Sequence, residues 1–148
     1  MSKADPRIER RNLPLLLLRS RELVMEQFRP ILNAHRVTEQ QWRVVRLLIE
    51  AGPLEPREIG ERGRISSPSL VGMLARMEEL GLIARKRLES DQRRVRVSLA
   101  PKGRALAARM APEIDATYRH LEEVLGAEFC ELLYATLDRL IVNLKAHD

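Results

Sequence analysis

Between Arg85 and Arg104 the chain carries eight bases (Arg85, Lys86, Arg87, Arg93, Arg94, Arg96, Lys102 and Arg104) against two acids (Glu89 and Asp91), a local net of +6. Guanidinium and ammonium groups at that density suit contact with phosphates, whose negative charges recur along a duplex. Just upstream, Leu70, Leu74, Met77 and Leu80 recur at three- and four-residue steps, the rhythm of a helix with one buried stripe. Ser67, Ser69, Gly72, Met73 and Arg76 lie largely off that stripe. They are small or basic, so this face can sit closely against another surface. Ser66 or Ser67 is expected to cap the helix, Pro68 to occupy its first position, and Gly81 to end it. Beyond it, Leu82–Leu88 and Val95–Leu99 read as two short strands flanking a polar turn, residues 89–94. Helix, then a hairpin with a basic tip, is the sequence form of a winged helix-turn-helix. Its helix enters the major groove of DNA and its tip reaches the neighbouring backbone or minor groove. A plain helix with a solvated hairpin is the simpler reading, and the concentrated charge weighs against it.

A second group invites binding chemistry rather than catalysis: Ser20, Arg21, Phe28, His35, Trp42, Arg43 and Arg46. If the first two helices cross, these residues can line a cavity. An aromatic wall with one or two guanidiniums suits an aromatic carboxylate, because arginine pairs both carboxylate oxygens at once. His35 or a serine hydroxyl would serve ring hydroxyls. The competing reading makes Phe28 and Trp42 ordinary core and turns the arginines to water, and the residues alone leave both open. No enzyme signature accompanies them. The three histidines, His35, His120 and His147, are scattered, and no phosphate-binding glycine loop or nucleophile elbow occurs. No metal or organic cofactor is expected. The single cysteine, Cys130, follows Glu128 and Phe129, an acidic and partly apolar setting that disfavours a thiolate. It reads as packed or idle rather than as a redox sensor.

The elements that must position these groups follow from composition and rhythm. At 148 residues, with 45% hydrophobic but only 3% aromatic side chains, the chain suits one largely helical domain built on Leu, Val, Ile, Ala and Met. The Leu13–Leu18 run is too short to span a bilayer and is closed by Arg19 and Arg21, and one cysteine fits a reducing compartment, so a cytoplasmic protein is expected. The net charge of +5 divides unevenly. Residues 1–111 hold 23 bases against 13 acids, a net of +10, whereas residues 112–148 hold 3 against 8, a net of −5. One end faces phosphates and the other does a different job.

In chain order, a helix is expected from about Pro14 to Ala34, kinked near Pro30. A second opens on the capping box Thr38-Glu39-Gln40-Gln41, turns Trp42, Val45, Leu48 and Ile49 inward, and stops at Gly52-Pro53. A short helix over Leu54–Arg62 and a turn at Gly63–Ile65 complete the helix-turn-helix. After the hairpin, one long helix runs from Lys102 to about Leu125, with Pro112 tolerated. A last helix from Ala127 to about Ala146 carries Leu132, Leu133, Leu137, Leu140, Ile141 and Leu144 as a stripe. That stripe needs a covering surface, and periodicity does not say whose.

The stretch Asp91-Gln92-Arg93-Arg94-Val95-Arg96-Val97-Ser98-Leu99-Ala100-Pro101-Lys102-Gly103 resembles the D-x-R-x-x-x-x-x-L-T-x-x-G wing signature of the MarR family of bacterial regulators. Phe28-Arg29-Pro30 and Thr38-Glu39-Gln40-Gln41-Trp42-Arg43 resemble its subgroup that represses homoprotocatechuate degradation. Ala100 stands where the family usually has threonine, so the helix after the wing should lose a cap worth about 1 kcal/mol. The resemblance implies a mainly α (α+β) winged helix-turn-helix fold. Residues 37–101 would form the DNA-binding lobe, and residues 1–36 and 102–148 the dimerisation helices. It implies a homodimer reading a pseudo-palindromic operator in double-stranded DNA, with half-sites about 34 Å apart. Ser67, Pro68, Ser69 and Arg76 would meet the major groove, Arg93 and Arg94 the minor groove or its phosphates, and Arg64, Arg85 and Lys86 the nearby backbone. Asp91 would hold Arg93 by an ion pair. The effector would be a small aromatic carboxylate, and the activity repression of an aromatic-acid catabolic operon. A ligand-independent winged-helix DNA-binding protein, a thiol-based regulator and a protein adaptor are the alternatives.

Overall fold

The computed structural model describes residues 4–147. Its first helix, α1 (Leu13–Ala34), starts where Asn12 Oδ1 accepts the Leu15 N–H at 3.1 Å, with Pro14 in the first turn, and passes through Pro30 as one span. After a turn at His35 and Arg36, helix α2 (Glu39–Ala51) opens on the expected capping box. Gln41 N–H donates to Thr38 Oγ1 at 3.0 Å and Thr38 N–H donates to Gln41 Oε1 at 3.1 Å. Two backbone donors that a helix start leaves unpaired are thereby satisfied. Val44, Val45 and Leu48 make its buried face, whereas Ile49, expected there, is 49% exposed.

Leu54 does not join the next helix. It exchanges backbone hydrogen bonds with Val97 at 2.9 and 2.7 Å, adding a bridge to the hairpin, so α3 (Pro56–Gly63) starts two residues later than its sequence suggests. The recognition helix α4 (Ser67–Glu79) buries Leu70, Leu74 and Met77. Ser66 stands at its cap position, but its hydroxyl meets Ser69 Oγ at 3.0 Å instead of a backbone N–H. At the other end Gly81 takes φ +75°, a left-handed turn open to glycine, and Leu82 N–H reaches back to the Met77 carbonyl at 3.0 Å.

The wing differs from its sequence outline. Strands β1 (Ile83–Leu88) and β2 (Asp91–Leu99) pair antiparallel, with Ile83 opposite Leu99 and Arg87 opposite Val95. Leu88 pairs with Asp91, so the register breaks there and the tip is only Glu89-Ser90. Residues 92–94, expected in the turn, form an irregular shoulder on β2. Asp91 explains the tightness, because its carboxylate accepts the Arg93 N–H at 3.0 Å and folds the chain locally.

Helix α5 (Pro101–Leu125) begins at Ala100, which lacks a side-chain cap, and runs unbroken through Pro112. Gly103 sits so near the Leu82 carbonyl that a Cβ there would lie 2.1 Å from its oxygen, hence only glycine lets this helix dock on the wing's root. Helix α6 (Ala127–Lys145) follows Gly126, φ +90°. One buried cluster unites the winged lobe with the end of α1 (Phe28, Leu32) and the first half of α5 (Leu106, Ala107, Met110, Ile114). Cys130 is buried. No described helix is long and apolar enough to cross a membrane.

Candidate nucleic-acid interface and adjoining cavity

Helix α4 turns Ser67, Pro68, Ser69 and Arg76 outward, since each lies away from the Leu70–Leu74–Met77 stripe. Val71, which the sequence reading passed over, shares this face and is 67% exposed. An apolar residue on the face turned away from the buried stripe was the available signal. Arg64 closes α3 at φ +52°, a left-handed conformation that costs a non-glycine residue about 1–2 kcal/mol. The Ile65 N–H bond to the Gly60 carbonyl at 3.0 Å helps to hold that turn.

The basic residues of the wing fall into two sets. Arg94 grips Glu55, at the start of α3, through two bonds of 2.8 Å, and Arg85 grips Glu78 of α4 through two of 3.2 Å. Each arginine holds its glutamate carboxyl below the ordinary carboxylate range through these hydrogen bonds. Arg94 and Arg85 therefore tie the wing to the helices. Arg93 and Lys86 are exposed and make no ion pair among the described residues. The expected Asp91–Arg93 ion pair is replaced by the backbone bond described above, because a carboxylate two residues away reaches the N–H more readily than the guanidinium.

A cavity of about 330 Å³ opens between α1, α2 and α5. Phe28, Trp42, Ile114 and Tyr118 form its apolar wall, and Arg21, Arg43 and Arg46 its cationic side, with Glu39 and Glu50 beside them. The Phe28 and Tyr118 rings lie 4.9 Å apart, tilted by 57°. Five of the seven residues grouped from sequence therefore meet: Arg21, Phe28, Trp42, Arg43 and Arg46. Ser20 and His35 do not. The Ser20 hydroxyl donates to the Leu16 carbonyl at 2.8 Å on the exposed side of α1, and His35 Nε2 meets Glu113 at 2.6 Å. Tyr118, Glu39 and Glu50 escaped the sequence reading. Tyr118 was legible through scarcity, being one of only five aromatic residues in the chain.

None of the three guanidiniums is idle. Arg21 pairs with Glu39, and Arg46 Nε donates to Glu50 at 2.6 Å. Burial works most strongly against the Arg46 charge, yet the Glu50 hydrogen bond together with the charges of Tyr118, Glu50 and Asp115 leaves its pKa raised. Arg43 donates to Glu39 at 3.1 Å and, on its other branch, to the Gly63 carbonyl at 2.9 Å. Three cations against two anions leave the cavity a net positive lining. Arg21, Glu39 and Arg43 also border a polar cleft of about 630 Å³ that ends at Arg62, Gly63 and Arg64. Among the described residues no group of histidine, cysteine and carboxylate side chains has the makings of a metal site.

The MarR family signature matches residues 37–95. The HTH-type transcriptional regulator FarR of Neisseria gonorrhoeae is 44% identical over 124 residues, 84% of this chain and 85% of that protein. The homoprotocatechuate degradative operon repressor of Escherichia coli is 40% identical over 130 residues, 88% of each. The crystal structure of NadR in complex with 4-hydroxyphenylacetate superimposes with a TM-score of 0.81 at 40% identity, covering 91% of this chain and 96% of that one.

Proposed function

This chain belongs to the MarR family of transcriptional regulators, and from that premise we propose that it is a homodimeric operator repressor released by a small aromatic carboxylate. The observation that carries the ligand class is the cavity itself, where Phe28, Trp42 and Tyr118 face Arg21, Arg43 and Arg46. Aromatic walls desolvate a ring, and a net positive lining favours a carboxylate. Tyr118 adds a phenolic hydroxyl for a ring substituent. Likeness to a repressor of homoprotocatechuate degradation and to a protein holding 4-hydroxyphenylacetate supports a phenolic acetate.

On DNA, Ser67, Pro68, Ser69 and Arg76 face the major groove, and Val71 offers an apolar contact to a thymine methyl. Arg93 of the wing enters the minor groove, while Arg64 and Lys86 meet phosphates. Arg85 and Arg94 act first through the protein, setting the wing against α4 and α3, and reach phosphate only by leaving their glutamates. The exposed apolar faces of α1 and α6 pair across a two-fold axis and space the two heads for a palindrome. Ligand then shifts the population toward a dimer whose heads no longer match the half-sites.

The test is a titration of the protein on its own upstream intergenic DNA at several salt concentrations, with and without 4-hydroxyphenylacetate or homoprotocatechuate. Operator affinity should fall about 5–150-fold with ligand. Arg93→Ala should lower affinity by about 1–3 kcal/mol and leave the dimer intact. Unchanged affinity in the presence of every aromatic acid would return the chain to a ligand-independent DNA-binding module.

A further inference from the structure

The cavity and the recognition helix are joined by one short chain of polar contacts. Arg21 of α1 pairs with Glu39 of α2, and the same Glu39 oxygen accepts Arg43 Nη2 at 3.1 Å. The other branch of Arg43 donates to the Gly63 carbonyl at 2.9 Å. That carbonyl belongs to the last turn of α3, where helix geometry leaves oxygens without intrahelical donors and where a cation also complements the helix dipole. Arg43 is therefore the C-terminal cap of α3. Four residues later the recognition helix begins, across a turn that already holds Arg64 at φ +52°. Side chains pack around Gly63, since a Cβ built there would lie 3.1 Å from Leu47 Cδ1, 3.4 Å from Ile65 Cδ1 and 3.7 Å from Arg43 Cδ.

We propose that Arg43 is the coupling residue of this regulator, a positioning group that reports occupancy of the cavity to the turn before α4. The inference rests on the effector reading above and supplies its physical link. In the empty protein, Glu39 orients the Arg43 fork so that one branch caps Gly63. A carboxylate arriving beside Arg21 and Arg43 places a second anion next to Glu39. Like charges at that distance repel in a partly desolvated cavity, and both compete for the same guanidiniums. Arg43 turns toward the ligand, the Gly63 carbonyl loses its donor, and the strained turn at Arg64 relaxes. The recognition helix is thereby freed from its DNA-ready pose. No change of subunit contacts is needed to start the event.

Two variants test this with two readouts. Trp42 is the only tryptophan and lies on the cavity wall, so quenching of its fluorescence by 4-hydroxyphenylacetate reports ligand binding directly. Operator affinity by anisotropy reports the output. Arg43→Gln, which cannot fork between Glu39 and Gly63, should lower operator affinity about tenfold without ligand, imitating the bound state. Because it also removes one of the three cavity cations, its quenching should saturate only at higher ligand concentration, and at saturation ligand should lower its operator affinity less than twofold further. Glu39→Gln, isosteric but uncharged, should bind ligand more tightly while showing a smaller drop in operator affinity. The inference is overturned if Arg43→Gln binds the operator as tightly as the wild type without ligand, if it releases DNA as the wild type does once its own quenching curve is saturated, or if it quenches at no ligand concentration, which would make Arg43 the ligand's anchor rather than the reporter of occupancy. A wild type that neither quenches nor releases DNA with any aromatic acid sinks the effector reading instead, and the coupling role with it.

Discussion

The winged lobe and the terminal helices handle their apolar surface in opposite ways. From Val37 to Leu99 the large aliphatic residues are mostly buried, with Val44, Val45, Ile59, Leu74, Met77 and Val97 fully enclosed. Helix α6 buries only Cys130, while Leu132, Leu133, Leu137, Ile141 and Leu144 stay exposed together with Leu13, Leu15, Leu17 and Leu18 of α1. Apolar faces left exposed on two helices to that extent mark an interaction surface. The contrast teaches that the head covers its apolar surface within one chain, whereas the stem leaves much of its own exposed. On the proposed reading, contact with DNA and contact with a second copy fall to different ends of the molecule.

The sharpest way to break this comparison is to place charge on the stem. Leu133→Asp combined with Leu137→Asp should abolish the dimer by sedimentation and weaken operator binding at least about 100-fold, because buried unpaired carboxylates cost several kcal/mol. An unchanged mass would leave the exposed stripe without a role. A core change in the head should act differently: Met77→Ala should cost about 2–5 kcal/mol in denaturant unfolding, since its side chain is wholly enclosed. Smaller and of opposite sign, Ala100→Thr should raise stability by about 1 kcal/mol by supplying the missing cap of α5, visible as a melting point about 2–4 °C higher.

The least effect is expected from acid. Arg94 and Arg85 lower the Glu55 and Glu78 carboxyl pKa values, so their ties to the wing are complete above the ordinary value of 4.5 and vanish as pH falls through the lower folded values. Amide shifts of residues 85–97 should report that loss only below pH 4.5, and Glu55→Gln should remove its share of the titration. Loosening of the wing near neutral pH would contradict the assignment.

Local signals carried the start of α2, the stop of α4 and the apolar rhythms, but not the serine cap of α4, where Ser66 bonds Ser69 instead of a backbone N–H. The Thr38–Gln41 capping box, the Gly81 stop and the alternating apolar rhythms each depend on residues within a turn, and each appears in the fold. The wing tip was misread because its tightness comes from Asp91 bonding the Arg93 backbone, a contact that a run of polar residues does not advertise. Leu54 was misread because its partner, Val97, lies 43 residues away.

By itself the sequence determined the element order, the basic wing, the cationic and aromatic stock of a binding cavity, and the apolar stripes that want covering. Only the tertiary structure decided that Tyr118 joins Phe28 and Trp42, that His35 leaves for Glu113, and that Arg43 caps α3. The physical reason is range. Capping and periodicity are settled within a few residues of chain, whereas the fate of a long side chain is settled by whichever carboxylate or carbonyl the packing of distant helices brings within 3 Å.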